Sequence, residues 1–373
     1  MNAKRLPLAV VRRTPPAPVV PVVDLTAWDF IVVWSSGGKD SQTALAETVR
    51  QALAASIPLS RIIVAHNDMG DAEWLGTLDL ARRQAGRHGL RFIVVRRRDG
   101  MSLLDDIRRR RKFPDAARRW CTSDHKRGPG RTLLTLLVDE LGGRKALGRP
   151  ARVLQVYGFR AAESSGRAAK HPFTRNDGAS TKTTRDVWDW YPIHHWSDAQ
   201  VWADIRATGA PYHWAYVRGM SRLSCSFCVL ASRADLVTAA RLLPVKAAAY
   251  AQVEAEIGHS FQVGGSKKKP TPKPIAGVIA GAGRAIEDAP CPACAAELHG
   301  ADPAVVHEVP ADVAQAMFGR GGLVCNGRFY LDPATWQPAS PFVDDELAHV
   351  VAAASDEEHA DAWEQLLALA VTR

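Results

Sequence analysis

Between Asp29 and Phe159 four short apolar runs rich in β-branched residues recur: "DFIVVW", "RIIVAH", "RFIVV" and "RVLQVYGF". Helical-period or charged segments such as "SQTALAETVRQALAA" and "EWLGTLDLARRQAGRHG" separate them. Strands that alternate with helices predict an α/β fold, a Rossmann-like parallel sheet with helices on both faces. Right-handed crossovers then place ligands beyond the carboxyl ends of the strands.

The first such end carries "VVWSSGGKDSQTAL", Val32 to Leu45. Gly37 and Gly38 let the chain turn tightly, so that successive N–H groups and the next helix N-terminus face one concavity suited to phosphate. Lys39 adds a point charge, Ser36 and Ser41 offer hydroxyls, and Asp40 can hold Mg²⁺ or cap the helix. The spacing is not that of a Walker A loop. On local chemistry alone the cluster reads equally as a good turn and helix cap.

At 373 residues the chain is long enough for a main domain plus an appendage. Residues 1–26, interrupted by prolines and Arg12-Arg13, read as a flexible leader without a signal-peptide core. Residues 27–260 form the main domain, with a helical cap from Trp188 to Tyr250. Residues 261–284, containing "GGSKKKPTPKP", read as an exposed linker, and 285–373 as a small C-terminal accessory module. No apolar run approaches membrane-spanning length, which points to a soluble, cytoplasmic protein with no membrane partner.

The net charge of +9 is concentrated: Arg82 to Arg131 holds 17 basic residues against five acids. Either a solvated helix face or a nucleotide or nucleic-acid partner accounts for "RRRRK", Arg108 to Lys112. Six cysteines are too few for a disulfide scaffold at this length, so metal or redox chemistry is the better question.

"SGGKDS", Ser36 to Ser41, resembles the pyrophosphate loop of the PP-loop ATP-pyrophosphatase, or adenine nucleotide alpha-hydrolase-like, superfamily. More specifically the chain resembles its phosphoadenosine phosphosulfate reductase-like branch, which includes the DNA phosphorothioation sulfurtransferases. Further segments follow in the family's order from about Trp28 to Ala240: "HNDMGDAEW", with Met69 in place of a threonine, "RWCTSDHKRGP", "YGFRAAESSGR", "YPIHHWSDAQVW" and "CSFC". The resemblance implies cleavage of ATP to AMP and pyrophosphate with Mg²⁺. Lys39, Asp40 and Asp68 would be catalytic, and Ser36, Gly37, Gly38, Ser41, Lys126, Arg160 and Arg167 would hold the nucleotide. Asp68 is as readily a loop aspartate bonded to its own backbone, and Arg160 and Arg167 as readily partners of Glu163. Trp196 and Trp202 read as core.

Cys225 and Cys228, with Cys121 in a family position, can place thiolates on an iron–sulfur (4Fe-4S) cluster with one open iron. A Zn²⁺ site, a redox dithiol and buried apolar cysteines are the alternatives. Cys291 and Cys294, followed by His299 and His307, read as a small zinc knuckle or equally as ordinary buried cysteines; alternatively Cys325 or one of the pair completes the first site. The leading expectation is an adenylating sulfurtransferase acting in nucleic-acid modification, with DNA or tRNA as acceptor and a cysteine desulfurase as sulfur donor. A sulfonucleotide reductase is the runner-up. It is disfavoured because the lysine-containing loop is intact and the chain ends "WEQLLALAVTR", without a Glu-Cys-Gly-x-His tail. A third reading is a nucleic-acid-binding component of a modification or defence complex.

Overall fold

The computed structural model describes residues 22–266 and 269–284, and the backbone of 307–310 and 328–331. In chain order come β1 (Phe30–Ser35), α1 (Lys39–Ala54), β2 (Ile62–Asn67), α2 (Thr77–Gly86), β3 (Arg91–Val95) and α3 (Leu103–Arg110). A short α4 (Trp120–Thr122) runs through a π-turn (Ser123–Arg127) into α5 (Gly128–Glu140), followed by α6 (Gly143–Leu147), β4 (Ala151–Val156), α7 (Ser165–Ala168), β5 (Phe173–Arg175) and β6 (Arg185–Trp190). Then follow α8 (Asp198–Thr208), α9 (Trp214–Val217), α10 (Arg233–Leu242), α11 (Pro244–Ile257), β7 (Gln262–Ser266), β8 (Lys269–Lys273), α12 (Ile275–Arg284), β9 (His307–Pro310) and β10 (Arg328–Leu331).

Six strands form one sheet in the order β3-β2-β1-β4-β6-β5, parallel except for β5, which runs against β6. All six residues of the inner strand β1 are buried, as a strand covered on both faces requires. Ile31 and Val33 join Val64 and Leu154 beneath Leu45 of α1 and Val201 of α8. Their neighbours Phe30 and Val32 join Ile63, Val153 and Val187 beneath Leu133 and Leu137 of α5. A third cluster unites α10, α11 and α12 with Trp74, Phe113, Trp214 and Phe227. No helix among the described residues is long and apolar enough to cross a membrane.

Two stretches differ from the sequence expectation. Trp188 and Trp190, read as the start of a helical cap, belong to β6. Residues 262–266 and 269–273, read as linker, pair as an antiparallel hairpin whose second strand is exposed. The following α12 buries Ile275 and Val278 in the third cluster, so this part is packed rather than free.

The basic stretch of α3 is a solvent-exposed face anchored from beneath by one buried carboxylate. Asp106, fully buried, accepts from Arg97 (2.9 Å), Arg109 (2.6 Å), Arg110 (3.0 Å) and His125 (3.1 Å). Arg110 also pairs with Asp124 and lies 4.5 Å over the Trp120 ring. Arg109 and Arg110 are thus oriented by Asp106 while their side chains remain partly exposed.

Candidate functional site

Where β1 leaves the sheet, Gly37 adopts φ +70°, a conformation costly to any residue with a Cβ. A Cβ there would also press within 3.1 Å of Thr77 at the start of α2. The turn delivers the chain into α1, with Gly38 as its N-cap. Three loop amides donate to hydroxyls: Ser36 N–H to Ser41 Oγ (3.1 Å), Gly37 N–H to Ser35 Oγ (3.2 Å) and Lys39 N–H to the Tyr216 hydroxyl (3.1 Å). Ser41 Oγ in turn donates to the Gly38 carbonyl (2.9 Å). The loop is held in shape by the Ser35 and Ser41 hydroxyls and by that of Tyr216 from α9, the kind of partner that a phosphate oxygen can replace.

Lys39 is 3% exposed, and its ammonium lies 3.3 Å from Asp198, 3.5 Å from Asp40 and 3.3 Å from the Ser221 carbonyl. It also sits 5.4 Å above the Tyr216 ring. Arg160 completes a ring of four charges by donating from Nε to Asp40 (2.5 Å) and from Nη2 to Asp198 (2.8 Å). Burial works against the Arg160 cation, but Asp40 and Asp198 more than offset it and raise its pKa. The ring ties α1 to α8, whose N-terminus is set by a reciprocal cap between Ser197 and Gln200. Gly158 makes this approach feasible, since a Cβ there would lie 2.4 Å from the Asp40 carbonyl oxygen.

Lys39, Asp40, Ser36, Gly37, Gly38, Ser41 and Arg160 thus meet as expected of neighbours in one site. Asp198, Tyr216 and Ser221 join them without having been singled out from the sequence. Asp68 does not join the ring: it accepts from the Gly70 amide (2.7 Å) and pairs with Arg96 (2.6 Å). Arg167 pairs with Glu163 and lies 4.4 Å over the Phe159 ring. Glu163 also accepts from the Arg160 amide (2.9 Å), which explains the Arg-x-x-Glu-Ser-x-x-Arg spacing as a local brace. Trp202 is core, edge-on to Tyr212 and Tyr216, while Trp196 is half-buried beneath Arg50.

Lys126, on the π-turn, stands among Cys121, Cys225, Cys228 and Glu73. Burial presses its ammonium pKa down, yet these neighbours together hold it above the ordinary value. Burial pushes the Cys225 thiol up to about 12 and raises Cys121 as well. Lys126 therefore faces the cysteines and not the ring around Lys39. Among the described residues no three His, Cys, Asp or Glu side chains are placed to hold one metal ion. Cys225 and Cys228 come from one segment and Cys121 from another, thiol donors common to zinc sites and iron–sulfur clusters alike. Cys291, Cys294, Cys325 and His299 lie outside the described residues, and of His307 only the backbone, in β9, is described. A separate cavity of about 520 Å³ between β3 and α5 is lined by Arg96, Arg97, Arg98 and Arg110.

The sequence profile described as the phosphoadenosine phosphosulfate reductase domain matches residues 30–231. No curated protein matches the chain. Among solved structures, Candida glabrata FMN adenylyltransferase with FMN and an ATP analogue shares 14% identity over 53% of this chain and 55% of its own, with a TM-score of 0.37. The matched part spans about half the length of that adenylyltransferase. Candida auris phosphoadenylyl-sulfate reductase in a phosphate complex shares 15% identity over 54% of this chain and 83% of its own (TM-score 0.36). Yeast FAD synthetase with FAD shares 16% over 52% and 55% (TM-score 0.33).

Proposed function

Because the chain belongs to the phosphoadenosine phosphosulfate reductase domain family of PP-loop enzymes, we propose that it binds ATP at the Ser36–Ser41 loop and transfers AMP to an acceptor oxygen. Pyrophosphate leaves, and sulfur then displaces the adenylate. The observation that carries this reading is the buried Lys39 at the start of α1, ringed by Asp40, Arg160 and Asp198. A lysine desolvated beside loop amides is placed to stabilise charge that develops on a leaving pyrophosphate.

In the proposed reaction, the amides of Ser36, Gly37 and Lys39 exchange their hydroxyl partners for phosphate oxygens. Asp40 and Asp198 hold Lys39 and Arg160 in place so that little reorganisation accompanies charge transfer. Mg²⁺ would screen the triphosphate, and Asp40, now engaged with Lys39 and Arg160, or Asp68, now engaged with Arg96, would have to turn toward it to hold it. Cys121, Cys225 and Cys228 would hold an iron–sulfur cluster, which supplies sulfur-binding capacity when bound. Residues 285–373 are proposed to be an accessory module. The acceptor is proposed to be nucleic acid, and the sulfur donor a desulfurase-type protein.

Lys39→Ala is expected to lower pyrophosphate release with ATP and acceptor by at least about 100-fold, while ATP-independent unfolding shifts far less. Unaltered release in that variant overturns the assignment. The family description favours one competing reading, reductive cleavage of phosphoadenosine phosphosulfate. Sulfite release from that compound with a thiol reductant, and no pyrophosphate from ATP, would establish it instead.

A further inference from the structure

One face of the sheet changes character toward the carboxyl ends of β1, β4 and β6. Side chains two residues apart share a face, so the α5 side can be followed in rows. The first row is Phe30, Val153 and Val187; the next pairs Val32 with Gln155 and Asp189. The last, beyond the hydrogen-bonded register, is Trp34, Tyr157 and Tyr191. Apolar core gives way to a polar step and then to aromatic rings.

The polar step is fully organised. Gln155 donates to Asp189 (2.9 Å) and accepts from Trp34 Nε1 (3.0 Å) and the Tyr157 hydroxyl (3.3 Å), while Asn176 donates to both Asp189 oxygens at 3.0 Å. Above it the rings stack in a column. Trp34 and Tyr157 have centroids 6.4 Å apart at 15°, and Tyr157 and Phe159 lie 5.3 Å apart at 21°. Tyr191 braces both from the side, at 6.2 Å and 5.2 Å. The inner end is closed by α5: a Cβ on Gly130 would fall 2.8 Å from the Trp34 ring. The outer end, half-buried Phe159, is capped by the Arg167 guanidinium. Exposed Arg127 lies within electrostatic reach of Tyr157, and exposed Lys170 within reach of Asp189.

The stack ends at a half-buried ring under a guanidinium, planes on which a flat base can stack, and exposed Arg127 and Lys170 add positive charge suited to phosphodiesters. We propose that the outer end of this column, Phe159 with Arg167, is the stacking site for an unpaired nucleobase of a nucleic-acid strand whose backbone runs past Arg127 and Lys170. This deepens the proposed function by naming the acceptor subsite, and it rests on that reading only for its placement beside the adenylating loop. Sequence-tolerant stacking on aromatic and guanidinium planes is the usual way that single strands are held.

The test uses the full chain and a fluorescein-labelled single-stranded DNA oligonucleotide, with an abasic strand of equal length as control. Phe159→Ala is expected to weaken binding of the base-bearing strand by about tenfold or more, to leave the abasic strand unchanged and to leave ATP affinity unchanged. Phe159→Leu, which keeps apolar bulk, guards against misfolding and is expected to show the same selective loss. Equal losses for both strands, or none, overturn the proposal. Lost ATP affinity with unchanged strand binding overturns it too, and gives the column to adenine. Selective base binding in a protein that forms no pyrophosphate would sink the adenylation reading while leaving the subsite standing.

Discussion

Gly158 shows how one missing side chain decides the site. Its Cα lies against the first turn of α1, where any Cβ would meet the Asp40 carbonyl carbon and the Ser41 amide within 2.7 Å, both of them backbone atoms that cannot swing aside. Gly158→Ala is therefore expected to cost about 1–3 kcal/mol of stability and to weaken ATP binding, because the displaced strand end carries Arg160 away from Asp40. Thermal unfolding and an ATP titration check both; an unchanged melting temperature would contradict the contact. The loop residues were legible because their signals are local: glycine, lysine and serine adjoin in the chain. Asp198 and Tyr216 were not, since more than 150 residues separate them from Lys39 and nothing local distinguishes a carboxylate that starts one helix from any other. Asp68 illustrates the reverse, a residue that matches a motif while its oxygens are taken up by Gly70 and Arg96.

Among the elements, α8 carries most of the positional burden. Its cap, in which Ser197 Oγ accepts from the Gln200 amide at 3.2 Å and Gln200 answers at 2.8 Å, fixes the residue that follows, Asp198. Ser197→Ala should cost about 1 kcal/mol and reduce pyrophosphate formation more than a surface mutation of equal cost, such as one at the exposed cap of another helix. Equal reductions would show that α8 is only scaffold. The parallel strands were readable from β-branched runs, whereas β6 was not. Its mixture of tryptophans and aspartates, "RDVWDW", is placed by contacts with Gln155 and Phe173 from other strands, which no single-segment pattern contains.

For the whole molecule, two buried histidines set opposite pH limits. His213, fully buried and accepting the Ala215 amide at 3.2 Å, has its pKa pushed down by burial from 6.5 to about 3. The unfolded chain then binds the extra proton between those values, so stability is full above about 6.5 and falls as pH drops toward 3, by up to about 1.4 kcal/mol per pH unit. His66 is the converse. Burial presses it down, but Glu73 prevails and raises it, so its contribution is present below 6.5 and is lost as pH rises through its elevated value. His213→Asn, which can still cap α9, is expected to flatten the acid limb of a denaturant-midpoint curve; an unchanged acid slope would refute the assignment.

The quartet of Lys39, Asp40, Arg160 and Asp198 contains two cations and two anions, so the loop stays shaped without cargo. Within the quartet the two signs balance. An incoming triphosphate would gain purchase by taking over the positions that the Ser35, Ser41 and Tyr216 hydroxyls occupy at the loop amides, which makes the loop a place of exchange. Monovalent halides, unable to offer several oxygens at once, should compete poorly there, and selectivity would follow the geometry of the guest more than its total charge.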